Sequence, residues 1–342
     1  MSEQRILIAA PNWIGDFVIA DTLFRLLKQR EPRTAIDVLA PAWALPLAER
    51  MTTVAQAIEL PGGHGELALA ARLRLARRLR TVSYVRAYVL PRSAKSALVP
   101  WLGRVPLRTG YRGEYRYGLL NDLRQLNPAH ESLARRYAAL AFAADAELPA
   151  ELPPPVLASS AATRAAAMSR LGLAPGAAPV VALAPGAEYG PAKRWPIEAY
   201  AALAARFAAA GWQSWLLGSA GERLLAESVA ARVPMARNLA GETTLVEAVD
   251  VLGASTVAVT NDSGLMHMAA ALGIPQVALF GSSSPRYTPP ANPRARILYR
   301  GLPCSPCFAR ECPLGHRNCL RAIGVEEVYL AAREQARLAV AD

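Results

Sequence analysis

TVAVTNDSGLMHMAAALGIPQVALF, Thr256 to Phe280, decides the fold. Thr256 to Val259 is a short β-branched and apolar run that reads as a buried strand. Asn261, Asp262, Ser263 and Gly264 break it with turn chemistry, and Gly264 to Leu272 then carries small and unbranched residues suited to a helix. Gly273 and Pro275 punctuate that helix, and Gln276 to Phe280 is a second apolar strand. Strand, helix, strand in so short a stretch is a βαβ unit, which implies a parallel sheet with crossover helices.

The same rhythm runs outward in both directions. Upstream lie strand Val180–Ala184, helix Ile197–Ala210, strand Ser214–Gly218 and helices Gly221–Arg232 and Leu245–Leu252. Near the start the order repeats: strand Arg5–Ala10, loop PNWIGD, helix Phe17–Gln29, strands Ala35–Ala40 and Val54–Leu60, helix Glu66–Arg80 and strand Tyr84–Leu90. Between them DAELPAELPPPVLASS (145–160) is too rich in proline for helix and reads as an extended linker. The expected fold class is therefore α/β, with two Rossmann-like, doubly wound parallel-sheet lobes. Their expected bounds are 1–155 and 156–324, with a last helix (325–342) long enough to pack back across both. Ligands of such sheets bind beyond the carboxyl ends of the strands, so a central cleft between facing lobes is the expected site.

A chain of 342 residues with 53% hydrophobic and 19% charged residues can bury two cores. Its net charge of +11, carried far more by arginine than lysine, points to a polyanionic partner: nucleic acid, an anionic membrane surface or a phosphorylated substrate. No zinc-finger, RNA-recognition or basic-zipper pattern accompanies the charge, which argues against nucleic acid. No apolar run reaches membrane-spanning length and the first residues lack signal-peptide layout, so the expected location is cytoplasmic.

Four loops carry candidate chemistry. NDSG precedes a helix whose free N–H groups and dipole make an anion site, although on this stretch alone Asp262 or Ser263 as a simple cap is the commoner reading. His267 follows one turn later, on the same side, either as an ordinary packed or exposed helical residue, the commoner case, or as a donor to a phosphate or a sugar hydroxyl. APGAEYGPAKRWP (184–196) follows a strand and offers Gly186 and Lys193, but no GxxxxGK[ST] occurs, which excludes a Walker-type hydrolase. LLGSAGERLLAE (216–227) sets Glu222 at a strand end, where acidic side chains bind ribose or serve the helix dipole. PNWIGDF (11–17) sets Asp16 as a proton acceptor or, again, a cap. Cys304, Cys307, Cys312 and Cys319 are compact enough for one metal, or are reduced thiols holding a loop.

Taken together these stretches resemble glycosyltransferase family 9, the ADP-heptose:lipopolysaccharide heptosyltransferases. The carrying residues are ILIAAPNWIGDFVIADTL, PRSAKSALVPWLGRVPLRTGYRGEYRYGLLND, LAPGAEYGPAKRWP, VTNDSGLMHMAAALGIPQVALFGSSSP and CSPCFARECPLGHRNCL. The resemblance implies a GT-B fold with donor on the second lobe and acceptor on the first. It makes Asp16 the general base and Lys193 the partner of the ADP phosphates. Glu222 becomes a ribose ligand, with Asp262, Ser263, Gly264, His267 and Gly186 completing the donor site. Acceptor binding falls to Asn12, Trp13, Gly15, Arg92, Lys95 and Arg112, with Arg108, Arg116, Tyr111 and Trp101 as further first-lobe candidates. The implied partners are ADP-heptose and the lipopolysaccharide inner core, Kdo2-lipid A bearing one heptose, met peripherally at the inner membrane; no metal, cofactor or nucleic acid is implied. The step of core assembly stays open, and the rival readings are a nucleotide-sugar epimerase and a non-catalytic binder of anionic glycolipid or nucleic acid.

Overall fold

The computed structural model describes residues 4–62, 66–174 and 178–341. The chain divides into two compact units after Val156. The first holds β1 (Arg5–Ala9), β2 (Ala35–Ala40), β3 (Gln56–Glu59), β4 (Arg86–Val89), β5 (Leu107–Tyr111) and β6 (Asp122–Arg124), in one sheet of order β3-β2-β1-β4-β5-β6. The second holds β7 (Val180–Ala184), β8 (Gln213–Leu216), β9 (Ala236–Asn238), β10 (Val257–Asn261), β11 (Gln276–Phe280) and β12 (Ala295–Tyr299), in the order β12-β11-β10-β7-β8-β9. All these pairings are parallel. Counted from β7, the second sheet repeats the strand order of the first.

The central strands are apolar because both faces are covered by crossover helices. β2, β7, β10 and β11 are buried along their whole length. The one acid inside β2, Asp37, is fully buried but accepts 2.6 Å hydrogen bonds from Arg5 Nη2 and Tyr84 Oη, so it is not left unpaired. The 145–160 connector has no helix or strand. The last helix, Val325–Ala341, buries Val328, Tyr329, Ala332 and Ala336 in the core of the second unit, where the Tyr329 and Phe207 rings meet at 5.0 Å.

Several expected bounds move for local reasons. The first helix begins at Ile14, not Phe17, which brings Gly15 and Asp16 out of the loop and into its first turn. The third-strand crossover helix starts at Leu69, behind Ala68 in a left-handed conformation (φ 44°). β9 and β12, absent from the sequence reading, are edge strands whose exposed arginines hide the apolar run.

In each sheet the order reverses between two neighbours, β1 and β4 in the first unit and β7 and β10 in the second. Such a switch point splays the loops that follow the strands and opens a ligand crevice there. The loops to inspect are therefore those after β1, β4, β7 and β10.

Candidate functional site

In the second unit, the loops after β7 and β10 are tied together by one side chain. Asn261, fully buried at the end of β10, accepts from Trp195 N at 3.0 Å and donates to the carbonyls of Pro185 (2.9 Å) and Gly186 (3.1 Å). It thus holds both ends of the 185–195 loop. That loop brings Lys193 Nζ to 2.6 Å from Asp262 Oδ2, with the carboxylate buried and the ammonium about four-fifths so. Lysine is used in this chain only at Lys28, Lys95 and Lys193, so a compact ammonium stands here where arginine is the usual cation.

Ser263 is the N-cap of the helix Gly264–Ala271 but makes no capping bond, and its hydroxyl is buried without a partner. The cap reading of NDSG is thus corrected for Ser263, and Asp262 spends its carboxylate on Lys193. The free N–H groups of that helix start beside the ion pair, which is the chemistry of an oxyanion site. His267 is 5% exposed, and burial pushes its pKa down to about 4, with Lys193 adding to the effect and Asp262 opposing it. At neutral pH it is an uncharged imidazole with one N–H to give.

Glu222 and Gly186, far apart in sequence, meet in space. A Cβ at Gly186 would overlap the Glu222 carboxylate, so a glycine is what admits it. Glu222 Oε2 accepts from Ser219 N (2.8 Å) and Ser219 Oγ (3.1 Å), a capping box around a short turn after β8. Both of these bonds fall on Oε2.

In the first unit, Asn12 and Trp13 are exposed on the loop after β1, and Gly15 and Asp16 are half-buried in the first helical turn. After β4, Arg92 and Ser93 line a pocket of about 590 Å³ together with Arg112, Gly113, Glu114 and Gln125. Arg92 Nε donates to Arg112 O at 3.2 Å, and Arg112 Nε to Tyr117 Oη at 2.8 Å, so the two guanidiniums are steered into one neighbourhood. Lys95 is half-buried in the first turn of the helix Ala94–Leu102, outside this lining. Trp101 is 43% exposed near the other end of that helix.

Three other first-unit candidates prove structural. Arg116 is 1% exposed, donates to the carbonyls of Pro91 (2.5 Å) and Tyr111, and desolvation pulls its pKa down to about 10. Arg108 donates to Leu119 O (2.7 Å) and Val105 O (2.5 Å). Tyr111 is buried with its hydroxyl on Arg136 O at 2.6 Å. Each gives its side-chain donors to backbone carbonyls around β5, from Pro91 to Arg136, that would otherwise need other partners.

The four cysteines are free thiols, with Cys319 buried and Cys304 and Cys307 exposed. The backbone N–H of Arg317, helped by those of Leu314, Gly315 and His316, holds the Cys312 pKa low; burial raises that of Cys319. Among the described residues no three His, Cys, Asp or Glu side chains are grouped to hold a metal ion.

The residues that sequence reasoning missed are Asn261 and Trp195, which shape the site without offering obvious chemistry. The signal was present: an amide one residue before an acid, at the end of a wholly apolar strand, has to find partners or not be there.

The model of glycosyltransferase family 9 (heptosyltransferase) matches residues 72–317. The chain belongs to that family. It is a glycosyltransferase. It is 46% identical over 306 residues to lipopolysaccharide heptosyltransferase 2 of Salmonella typhimurium, covering 86% of this chain and 88% of the relative, and equally to the Escherichia coli K12 protein of that name. Among solved structures, E. coli ADP-heptose LPS heptosyltransferase II superposes with a TM-score of 0.89 at 39% identity, over 98% of this chain and all of the other. The family match spans the arginine pocket, the Lys193–Asp262 pair and most of the cysteine segment.

Proposed function

We propose that this enzyme transfers L-glycero-D-manno-heptose, with inversion, from ADP-heptose to the heptose of the lipopolysaccharide inner core. The observation that carries the reading is the Lys193–Asp262 pair at the uncapped start of a helix, on the switch point of the second sheet. A nucleotide diphosphate needs cationic and N–H donors fixed in place before charge develops on its leaving oxygen. Two relatives that match 86% of the chain are named lipopolysaccharide heptosyltransferase 2, which supports the reading.

In the reaction an acceptor heptose hydroxyl attacks the anomeric carbon of the donor heptose. Asp16 takes the hydroxyl proton, the new C–O bond forms opposite the leaving group, and the bond from the anomeric carbon to the phosphate oxygen breaks. ADP departs with that electron pair. Lys193 and the helix N–H groups from Gly264 onward stabilise the diphosphate, relieving the need for a metal at this step. Asp262 and His267 serve the donor hydroxyls and phosphates, Ser263 Oγ gives a further hydrogen bond, and Glu222 Oε1, against Gly186, takes the ribose. Arg92 and Arg112 receive the carboxylates or phosphates of the inner core, with Asn12, Trp13, Gly15 and Lys95 flanking the acceptor. The enzyme works as a peripheral protein at the cytoplasmic face of the inner membrane. No described helix is long and apolar enough to cross a membrane, and the net charge suits an anionic lipid surface.

The deciding experiment is ADP release from ADP-heptose with two acceptors, Kdo2-lipid A and the same acceptor carrying one heptose. Turnover on the second alone is expected. Turnover on the first alone moves the enzyme one step earlier, and turnover on neither removes the reading.

A further inference from the structure

The cysteine-bearing segment after β12 is built onto the loop that carries Lys193, and the join runs through one aromatic ring. Tyr189 Oη donates to Phe308 O at 2.7 Å, and Phe308 N donates to Ser282 O at 2.7 Å, just past the end of β11. Phe308 is half exposed and sits at φ +53°, a left-handed conformation that a bulky side chain adopts only where its surroundings enforce it. Two residues on, Arg310 O accepts from Ala192 N at 3.0 Å. At Gly190 any Cβ would collide with that same Arg310 carbonyl, so the two backbones touch because a glycine is there. Lys193 Nζ and the Arg310 guanidinium lie 5.0 and 5.3 Å from the centroid of the Tyr189 ring, within cation–π range.

We propose that Tyr189 is a positioning residue for Lys193, with segment 308–310 as the strut that holds it. The ammonium of Lys193 meets Asp262, one residue past the end of β10, and the Tyr189 ring. Asp262 attracts it but cannot fix where along a flexible four-carbon stem it stops. The Tyr189 ring does so only if the ring is itself immobile, and the bond to Phe308 O, braced from β11, supplies that. The function of the cysteine-bearing segment in the reaction is then mechanical support for the diphosphate site. This inference rests on the reading of Lys193 as the diphosphate partner.

The test is a double-mutant cycle of Tyr189 and Lys193 read by the dissociation constant of ADP in calorimetry, with kcat on the monoheptosylated acceptor in parallel. ADP stoichiometry reports the folded fraction, so loss of fold is not mistaken for loss of affinity. Tyr189→Leu is expected to weaken ADP about tenfold, and Tyr189→Phe, which keeps the ring but frees it, about threefold to fivefold. In a Lys193→Ala background both changes are expected to fall within about twofold of that background. Gly190→Ala, which forces strut and loop apart, reproduces the Tyr189→Leu loss by another route. Equal losses in both backgrounds would show that Tyr189 acts independently of Lys193 and would overturn the proposal, as would no loss in either. If Lys193→Ala itself leaves ADP affinity and kcat intact, the underlying reading of Lys193 fails, an outcome the cycle separates from failure of Tyr189.

Discussion

The two units fold on the same strand order and present the same switch point, yet the loops they hang there are opposite in character. In the second unit the loops after β7 and β10 are locked: Asn261 is fully buried on the backbone groups of Trp195, Ala184, Pro185 and Gly186, Trp195 is 2% exposed, and the charged pair Lys193–Asp262 is mostly covered. In the first, Trp13 is 45% exposed, Asn12, Arg92 and Arg112 are exposed, and an open pocket lies between the loops that carry the arginines. The contrast follows the ligands proposed for them. A nucleotide diphosphate is compact and always the same, so fixed donors serve it best. A lipid-linked core oligosaccharide is large, charged and partly held elsewhere, so its site has to admit rather than enclose it.

The largest effect is expected where the first unit leaves its open character, at Asp16 in the first turn of the helix Ile14–Arg30. Asp16→Asn keeps shape and any hydrogen-bond geometry but removes the basic lone pair. It should lower kcat by about 100-fold or more, the usual scale for a general base, while ADP affinity by calorimetry stays unchanged. Near-normal turnover in this variant would reassign the base. A parallel loss of ADP affinity would instead mean that Asp16 belongs with the locked loops.

Next in size is the lock itself. Asn261→Ala removes an acceptor from Trp195 N and donors from two buried carbonyls, and each buried group left alone is worth about 1–3 kcal/mol. Faster amide exchange across residues 184–195 and at least about tenfold weaker ADP binding are expected. Asn261→Asp sharpens the point. It is nearly isosteric, but it sets a carboxylate oxygen against the Pro185 and Gly186 carbonyls, so it should be no better than alanine. If aspartate restored ADP binding, packing rather than hydrogen bonding would be what holds the loop.

The legibility of the sequence divided along the same line. The four central strands of the second sheet were legible, though not its edges β9 and β12: Val180–Ala184, Gln276–Phe280 and the starts of the helices at Ile197, Leu245 and Gly264 fall where the pattern sets them. Continuous apolar strands and clean turn punctuation leave little choice there. Between Ala94 and Ala139 two helices and two strands went unassigned, because three are short elements with arginine on them and the helix Ala94–Leu102 holds Pro100, so none shows a period. The sequence set Lys193 at the same cleft edge as Asp262, but not in an ion pair with it across 69 residues. The family motifs ranked Arg92 and Arg112 above Arg108 and Arg116 for the acceptor, but gave no backbone role to the latter two. Whether an arginine faces solvent or fills a backbone carbonyl depends on where an irregular loop turns back, and composition does not encode that.

That inequality among arginines gives the smallest and most discriminating prediction. Arg92 and Arg112 border the pocket and are exposed, whereas Arg108 and Arg116 are committed to the backbone carbonyls of Val105, Leu119, Pro91 and Tyr111. Replacing Arg92 and Arg112 together by glutamine should raise the acceptor KM about threefold to tenfold at low salt, with kcat and ADP affinity unchanged. The effect should shrink as salt is added, because exposed charges are screened beyond about 10 Å at 0.1 M. Arg108→Gln removes the same formal charge as either single pocket variant but should leave the acceptor KM and its salt dependence alone while lowering thermal stability. If all these charges merely added to a diffuse positive surface, Arg108→Gln would shift KM as each pocket arginine does. Acceptor recognition would then belong to the net charge and not to the pocket.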